Sequence, residues 1–355
     1  MEDTKLLAWN IVGKRTGWFF KNIASGTVIS SRVRLARNLW KFPFPHNMTS
    51  EQAEEVEKTV LKSIFDYRDA GDEMFIIKTS DISDIEKGFL VERHMISEEF
   101  SENHLSCSAV IFPKEKLSIM INEEDHIRIQ GMQPGLSLGK ALASANKLDD
   151  FLGSGLNYAF SEKLGFLSSC PTNIGTGLRA SALLHIPALL ALRKERELFE
   201  EAEKRKIMVR GFYGEGSEPL GCFYQLSSKE TTGMSEKEII ENLQNMVNLT
   251  EEAEKESLLL LAGKDKKKAA IAAAIEKALN NSGLASEKFF VLFSKLVLAK
   301  KLGILDIEEK KLSALFQEVL PFHMQLKKGK KMAPEERDAA RGASLRKKIR
   351  RCADV

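Results

Sequence analysis

Residues 108–121, SAVIFPKEKLSIMI, contain two apolar runs of strand length with Pro113 and Lys114 between them. Apolar runs this short, bounded by turn residues, favour β-strands over helices. Strands joined by so short a connection pair antiparallel, because a parallel pair needs a crossover of roughly a dozen residues or more. MFIIK, residues 74–78, is a third run of the same kind. The pattern predicts an α+β protein with a largely antiparallel sheet flanked by helices.

Helical patterns surround these strands. Thr49 and Gln52 have the spacing of a capping box, which predicts a helix to about Tyr67. IMVRGFYG (207–214) and GCFYQL (221–226) are typical of two further strands, joined by a loop that contains glycine and acidic residues. The C-terminal third has helical periodicity almost throughout. The predicted helices after the first are 137–152, 178–193, 236–261, 269–279, 287–302, 308–320 and 334–351.

The composition of the chain changes near Gly263, in the Lys-rich piece GKDKKK. Residues 264–355 hold 22 Lys and Arg against 11 Asp and Glu, a net charge of +11, so the remainder must carry −8 to give the formal total of +3. We expect an N-terminal extension over 1–26, a main domain over 27–257, and a basic helical C-terminal domain over 264–355.

The bulk composition excludes several classes of protein. With 355 residues, 43% hydrophobic and 29% charged, the chain has the profile of a soluble globular protein. Its longest apolar stretch, 183–192, is interrupted by His185 and Pro187 and is shorter than the roughly 20 residues of a spanning helix. The N-terminus lacks a secretory signal pattern, which predicts a cytoplasmic location. Four cysteines without CxxC spacing argue against a zinc site or a disulfide framework.

A nucleotide would have to be held without a standard phosphate-binding loop, because the motif GxxxxGK[ST] and the protein-kinase motifs HRD and DFG are absent. Arginine is the alternative, since its guanidinium grips phosphate oxygens bidentately at any working pH. Arg32 and Arg34 in SSRVRLAR are separated by one residue, and on a strand they would share a face. Two solvated arginines on a strand remain the alternative.

Acidic residues follow the last apolar run directly, in INEEDHIRIQ (121–130). Glu123, Glu124 and Asp125 are costly to keep together unless a cation lies among them. A metal or a cationic substrate would meet this need. A solvated acidic turn is the other interpretation.

Two glycine-containing segments complete the candidate motifs. In LSSCPTNIGTGLRASALLHIP (167–187), small residues lead into the predicted helix with Arg179 in its first turn. The N-terminus of a helix favours phosphate, and the same field would favour the thiolate of Cys170. In VRGFYGEGSEPLG (209–221), Arg210 ends a strand and Glu215 lies in the following loop. Taken alone, this second segment is also an ordinary hairpin.

The four motifs SSRVR, NEEDHIR, CPTNIGTGLRA and VRGFYGE together resemble the phosphagen (guanidino) kinase family, in its order and spacing, over about residues 27–257. The resemblance implies a catalytic domain there, ATP with nucleotide-bound Mg²⁺, and no metal ligand from the protein. It implies that Glu124 and Glu215 hold the substrate guanidinium, with Cys170 beside it. The implied ATP-binding residues are Ser30, Ser31, Arg32, Val33, Arg34, His94, Arg128, Arg179, Ala180, Ser181, Ala182, Leu183, Arg210, Gly211, Phe212, Tyr213, Gly214 and Glu215.

A mechanism follows from this expected substrate. A guanidinium is charged and non-nucleophilic at neutral pH, so one nitrogen must lose its proton as it attacks the γ-phosphorus. Glu124 is the candidate base. Glu215 would fix the plane of the group so that nitrogen, phosphorus and leaving oxygen align. The arginines and Mg²⁺ would stabilise charge on the transferred group.

The layout of the chain bears on which guanidine is accepted. Small-molecule members of the family have a helical domain before the SSRVR segment, whereas 29 residues precede Ser30 here, and a basic helical part follows the catalytic domain. This layout, with LVERHMIS and RGFYGEGSEPLG, resembles the bacterial branch that phosphorylates arginine in proteins. The resemblance implies protein substrates, marking for regulated proteolysis or stress control, an activator protein, a Clp-type protease and a homo-oligomer. It implies neither nucleic acid nor membrane as a partner.

The C-terminal domain of that branch has an RDxxRA element that binds phosphoarginine, and the matching stretch here is RDAARG with Arg337, Asp338 and Arg341. An exposed helix face with arginines four residues apart is the alternative for this stretch. Two alternatives to the whole assignment stay open: a metabolic kinase that acts on a small guanidine, and a catalytically weak adaptor that binds phosphoarginine or nucleic acid through its basic tail.

Overall fold

The computed structural model describes residues 17–67, 74–102, 106–213, 219–229, 233–281 and 283–350. These residues form two compact units. The first unit comprises the described residues of Ser30–Ala182 and Ser227–Gln244, and the second comprises those of Thr16–Ile29, Leu183–Leu226 and Asn245–Val355. Within the described residues, no helix combines the length and the apolar character needed to cross a membrane.

Within the described residues, eight strands form one sheet, and two short strands form a separate hairpin. The strands are β1 (Val28–Arg37), β2 (Phe75–Lys78), β3 (Ser108–Ile111), β4 (Leu117–Ile121), β5 (Ile127–Pro134), β6 (Phe160–Ser161), β7 (Gly165–Phe166), β8 (Leu178–His185), β9 (Ile207–Arg210) and β10 (Phe223–Ser228). The order in the sheet is β2-β3-β4-β5-β1-β8-β10-β9, with β6 paired to β7. The predicted antiparallel pairing of residues 108–121 is confirmed, with Ala109 opposite Met120, and the predicted α+β class is confirmed with it.

The helices of the first unit include α2 (Ser50–Phe65), α3 (Asp84–Glu92), α4 (Glu98–Glu102), α5 (Leu138–Gly155) and the start of α8 (Glu236–Ala262). Those of the second unit, besides the rest of α8, are α1 (Trp18–Lys21), α6 (Pro187–Leu192), α7 (Glu195–Lys204), α9 (Asp265–Leu279), α10 (Ser286–Lys301), α11 (Glu309–Glu318), α12 (Pro321–Lys328) and α13 (Pro334–Arg350). The predicted capping box is confirmed: Thr49 Oγ1 accepts from the Gln52 amide and the Gln52 side chain accepts from the Thr49 amide.

The helix predicted over residues 178–193 is wrong in its first half. Leu178–His185 is the strand β8, and the helix α6 begins only at Pro187. All eight residues of β8 are buried, so its sequence shows no alternation of apolar and polar positions. A short apolar run of this kind cannot be assigned to helix or strand by periodicity. The strand also places Arg179 on the sheet rather than in the first turn of a helix.

Helix α5 packs on one face of the first unit's sheet, and a glycine allows the close approach. A Cβ built at Gly131 on β5 would lie 2.4 Å from the carbonyl oxygen of Ala141 on α5. Arg37, at the end of β1, points to the same face and pairs with Asp149 of α5 at 2.7 Å. Because side chains alternate along a strand, this contact directs Arg32 and Arg34 to the opposite face.

The second unit has an aromatic core. Phe212, Phe223 and Phe316 are fully or almost fully buried, with ring centroids 5.3 to 6.0 Å apart. His185 stacks on Phe223 at 4.1 Å, and its Nε2 lies 2.9 Å from Ser294 Oγ. Burial lowers the pKa of His185 well below its ordinary value, so this histidine is a neutral member of the core.

We expect Gly131→Ala to lower the free energy of unfolding by about 1–3 kcal/mol, because the added methyl must displace the backbone of α5. Chemical denaturation of the variant measures the loss. Gly139→Ala is the matched control, since a Cβ there has no neighbour within 4 Å and the residue lies inside α5. An equal loss in both variants would contradict the close approach at Gly131.

Candidate active site

Three arginines project from one face of the paired strands β1 and β5. Arg32 and Arg34 are two residues apart on β1, so they share a face, as the sequence predicts. Arg128 of β5 lies directly opposite Ala36 of β1. Ala36 is two residues after Arg34 on β1, so its side chain points to the same face as that of Arg34. Residues directly opposite one another in an antiparallel pair share a face, and Arg128 therefore lies on the face of Arg32 and Arg34.

A fourth arginine, Arg179 of β8, contributes to the same electrostatic environment. Burial lowers the pKa of Arg34 well below its ordinary value, and the positive charges of Arg32, Arg128 and Arg179 lower it further. The Nε of Arg34 is buried and has no hydrogen-bond partner within the described part of the chain. These four residues are called the arginine cluster below. Its surroundings disfavour further positive charge, which suits a bound polyanion.

The acidic loop between β4 and β5 is held against this cluster. Arg128 Nη1 lies 2.6 Å from the Glu123 carboxylate, and Arg128 Nη2 donates to Glu124 Oε2 at 2.7 Å. Burial would lower the pKa of Arg128, but the neighbouring carboxylates outweigh it and raise the pKa. The side chain of Glu123 is 2% exposed and that of Glu124 is 43% exposed. The cation among the predicted acids is thus an arginine of this chain.

Asp125, the third acid of the loop, is fully buried and organises the segment before Cys170. Its carboxylate accepts from Asn38 Nδ2 at 2.6 Å, from Ser168 Oγ at 2.8 Å and from the Ser169 amide at 2.8 Å. Ser168 Oγ in turn accepts from the Cys170 amide at 3.2 Å. The acidic loop therefore fixes the position of Cys170.

Thr172 connects Cys170 to the arginine cluster. Cys170 Sγ lies 3.1 Å from Thr172 Oγ1, and Arg179 Nη2 donates to the same hydroxyl at 3.1 Å. The prediction that Cys170 precedes a helix whose field favours its thiolate is wrong. Only a three-residue 3₁₀ turn, Pro171–Asn173, follows it before β8, and so short a turn lacks the dipole of a helix.

His94 lies on the arginine face because its carbonyl oxygen accepts from Gln130 Nε2 at 2.7 Å, and Gln130 pairs with Arg34. Its backbone is left-handed, with φ of 57°, a conformation in which histidine is enriched. Burial, together with the charge of Arg32, lowers the pKa of His94 to about 3. The imidazole is therefore neutral at physiological pH.

The small residues predicted near the nucleotide are buried parts of strands. Ser30, Ser31 and Val33 lie in β1, and Ala180, Ser181 and Ala182 lie in β8. Ser31 Oγ donates to the Gly135 carbonyl and accepts from the Ser137 amide, which anchors the start of α5. Ser181 Oγ accepts from Arg32 Nε at 3.3 Å and so orients a member of the cluster.

The remaining predicted residues belong to the second unit or lie outside the described residues. Arg210 ends β9 and is buried, with Nη2 3.2 Å from Met208 Sδ. Phe212 is part of the aromatic core, and Tyr213 packs on it at 5.0 Å. Leu183 and Gly211 also fall in this unit. Gly214 and Glu215 lie outside the described residues.

Sequence reasoning gave no role to several residues that build this site. Glu123 is the buried partner of Arg128, and its place directly before Glu124 was the available signal. Asn38 and Ser168 act through hydrogen bonds to Asp125, which is far from both in sequence, and no local pattern exists for such bonds. Thr172 contacts Cys170 and Arg179 within the same segment. Among the described residues, no group of three or more His, Cys, Asp or Glu could hold a metal ion.

The predicted phosphoarginine element lies on α13. Arg341 is fully buried: its Nε donates to the Val319 carbonyl at 2.9 Å, and its Nη1 donates to the Leu284 carbonyl and to Asp338. It is therefore not part of an exposed helix face. Arg337 is partly exposed one turn earlier.

Comparison with known families matches both parts of the chain. The family model described as ATP:guanido phosphotransferase, C-terminal catalytic domain, matches residues 55–257. The model described as protein-arginine kinase McsB C-terminal domain matches residues 274–354. A protein-arginine kinase of Halothermothrix orenii is 38% identical over 91% of this chain and 93% of its own length. One of Geobacillus stearothermophilus is 38% identical over 92% of this chain and 91% of its own.

Solved structures show the same fold. The duplicated taurocyamine kinase of Schistosoma mansoni, with bound transition-state analogue components, is 28% identical with a TM-score of 0.57. The match covers 69% of this chain but 35% of that kinase, so the chain spans about a third of its length. A lombricine kinase, at 24% identity and a TM-score of 0.55 over 66% of this chain and 67% of its own, is similar in fold alone.

We expect acid to destabilise the protein partly through His94. The unfolded state binds a proton near the ordinary histidine pKa of about 6.5, whereas folded His94 binds it only near pH 3. The unfolded state thus holds the extra proton between these values, and stability falls as the pH is lowered through this window. His94→Gln should reduce the slope of unfolding free energy against pH by about 1.4 kcal/mol per unit. Denaturation between about pH 4 and 7 measures this slope. His46→Gln, at an exposed histidine, is the control. An unchanged slope in His94→Gln would contradict a neutral imidazole at residue 94.

Proposed function

Because this chain belongs to the protein-arginine kinases of the ATP:guanido phosphotransferase family, we propose that its arginine cluster and acidic loop form the phosphoryl-transfer site. The chain is accordingly an ATP-dependent guanidino phosphotransferase that acts on arginine residues of proteins. The observation that carries the site assignment is the cluster of four arginines, one of which, Arg128, donates to a carboxylate that remains 43% exposed.

The arginine cluster supports a role in holding the phosphates of ATP. Buried like charges are costly, and a triphosphate would relieve them while accepting charge-assisted hydrogen bonds. The unpartnered Nε of Arg34 offers one such donor. We assign Arg32, Arg34, Arg128 and Arg179 to the phosphates, with Arg210 and the flanking strand and loop residues assigned by motif. Bound Mg²⁺ would arrive on the nucleotide and neutralise charge between its β- and γ-phosphates.

Glu124 is the proposed base. Its carboxylate is next to the cluster and reaches solvent, as a group that receives a substrate side chain must. The substrate guanidinium would donate to Glu124 and gain a fixed orientation from this contact. As its nitrogen forms a bond to the γ-phosphorus, the bond from that phosphorus to the bridging oxygen would break, ADP would leave, and Glu124 would take the proton that the nitrogen loses. The buried Glu123, already engaged by Arg128 and Ser97, is less suited to this exchange.

Two further residues are assigned to the guanidinium by motif. Cys170 lies beside the cluster through Thr172, and a thiol there would contact the side of the guanidinium that Glu124 leaves open. Glu215 would supply the second carboxylate. A neutral His94 near Arg32 adds no positive charge that would repel the substrate.

The biological setting is also part of the proposal. Phosphorylation of protein arginine replaces a cation by a dianionic group, which can create or remove binding partners. We propose marking of proteins for regulated proteolysis or stress control in the cytoplasm, with an activator protein, a Clp-type protease and self-association. The C-terminal domain, assigned to 264–355 beside a catalytic domain over 27–257, would bind phosphoarginine through Arg337 and Asp338. The match of residues 274–354 to the kinase C-terminal model supports this domain assignment.

Glu124→Gln should lower the rate of phosphoryl transfer about 100-fold or more while nucleotide binding persists, because it removes the proton acceptor but keeps the shape. The assay incubates the full chain with MgATP and an arginine-rich protein, and detects acid-labile phosphoarginine by mass spectrometry. Exposed Glu54→Gln is the matched control. Transfer only to free arginine or creatine would indicate a metabolic kinase. No transfer by the wild type, with phosphoarginine or nucleic-acid binding retained, would indicate an adaptor.

Arg337→Ala should weaken binding of free phosphoarginine at least about tenfold, since a charge-assisted contact is lost, while the free energy of unfolding stays unchanged. Arg341→Ala should instead destabilise the domain by roughly 3 kcal/mol or more, because the Leu284 and Val319 carbonyls lose their donor. Calorimetry and denaturation separate the two effects. Unaltered phosphoarginine affinity in Arg337→Ala would remove that residue from the proposed pocket.

A further inference from the structure

We propose that Arg128 competes with the substrate guanidinium for Glu124, and that the phosphates of ATP decide this competition by recruiting Arg128. The inference rests on the proposed assignment of Glu124 to the substrate. It gives Arg128 a second role besides phosphate binding, which is to couple occupancy of the nucleotide and arginine sites.

The competition follows from the identity of the groups. Arg128 presents a guanidinium to Glu124, the same chemical group that a substrate arginine presents. Its Nη2 already donates to Glu124 Oε2 at 2.7 Å. A bidentate pair between carboxylate and guanidinium needs both carboxylate oxygens in one plane. While Arg128 donates to Oε2, it occupies one acceptor site of that oxygen and partly neutralises the carboxylate, so Glu124 binds a substrate guanidinium less strongly.

The two ends of Arg128 are held unequally. Glu123 grips Nη1 at 2.6 Å from a side chain that is 2% exposed and is itself bonded by Ser97 Oγ at 2.5 Å. Glu124 holds Nη2 from a side chain that is 43% exposed. A bond to a partly solvated carboxylate is worth less than one to a buried carboxylate. The Nη2 end is therefore the one that exchanges partners, with Nη1 as the fixed end.

The arginine cluster supplies the reason for exchange. The charges of Arg32, Arg128 and Arg179 disfavour the charge of Arg34, and Glu123 opposes them only in part. The buried Nε of Arg34 has no hydrogen-bond partner among the described residues. A polyanion on this face would attract the nearest exchangeable guanidinium as well as Arg34. Turning Nη2 of Arg128 toward a phosphate oxygen keeps its bond to Glu123 and leaves both oxygens of Glu124 for the substrate.

This arrangement predicts positive coupling between the two substrates. Nucleotide should raise the affinity for arginine, and arginine should raise the affinity for nucleotide by the same factor. The attraction of a cationic substrate to bound phosphates would also give coupling, but it does not depend on Arg128. The two causes are therefore separable by substitution.

The experiment is calorimetric titration of the full chain with a short arginine peptide, with and without a saturating magnesium complex of a non-hydrolysable ATP analogue. For the wild type, the analogue should tighten peptide binding about tenfold or more. Arg128→Met should bind the peptide more tightly than the wild type without nucleotide, and the analogue should then tighten its binding by a smaller factor than in the wild type. Arg196→Met is the control, because it removes the same charge from an exposed residue outside the proposed site, and it should retain the coupling.

A second variant covers the case in which Arg128→Met leaves buried Glu123 uncompensated and does not fold. Glu123→Gln/Arg128→Met removes both charges and should also bind the peptide tightly without nucleotide. The inference is overturned if the coupling is as large in an Arg128 variant as in the wild type, or if the wild type shows no coupling. If the wild type still phosphorylates protein arginine, the proposed function stands in that case. Failure of the wild type both to bind the peptide and to phosphorylate protein overturns the two together.

Discussion

The buried ion pair between Arg37 and Asp149 is the contact on which the site depends. Arg37 Nη2 lies 2.7 Å from the carboxylate, and its Nη1 donates to the Ala36 and Thr176 carbonyls. Removing one partner of such a pair costs about 3–5 kcal/mol, because the other charge is left buried alone. The pair fixes which face of β1 meets α5. Because successive side chains of a strand point to opposite faces, the ion pair also places Arg32 and Arg34 on the other face.

The close packing around this pair leaves no room for a side chain at the neighbouring glycine. Gly177 has a left-handed φ of 65°, and a Cβ there would lie 2.4 Å from Arg37 Nη1 and 2.6 Å from the Ala36 carbonyl oxygen. The glycine-rich segment after Cys170 therefore packs closely against Arg37. The segment is held at its other end by Asp125 through Ser168 and Ser169. One buried charge on each side thus sets the position of Cys170.

Local patterns were enough for the parts of the fold that depend on local chemistry. The strand pair in 108–121 was predictable because a turn of a few residues permits only antiparallel pairing. The capping box at Thr49 was predictable because both of its bonds lie within four residues. Strand β8 was not, because its two faces are both buried and its sequence carries no period of two. The order of strands and the links through Asp125 depend on residues distant in sequence, which no single-sequence pattern specifies.

The arginines of this chain have different roles that the sequence alone does not distinguish. Arg34, Arg37 and Arg341 are all withdrawn from solvent to some degree, and nothing in their sequence neighbourhoods separates their roles. Arg341 and Arg37 direct their donors to carbonyl and carboxylate oxygens of the chain, so a ligand could engage them only by breaking those bonds. Arg34 instead lies among like charges with a buried Nε that lacks an acceptor. The bonds of Arg37 and Arg341 support the fold, whereas the buried Nε of Arg34 is without an acceptor in the described part of the chain and could gain one from an anion. This difference between Arg34 and the other two arginines depends on which strands pair and which face each side chain takes, so the sequence alone does not reveal it.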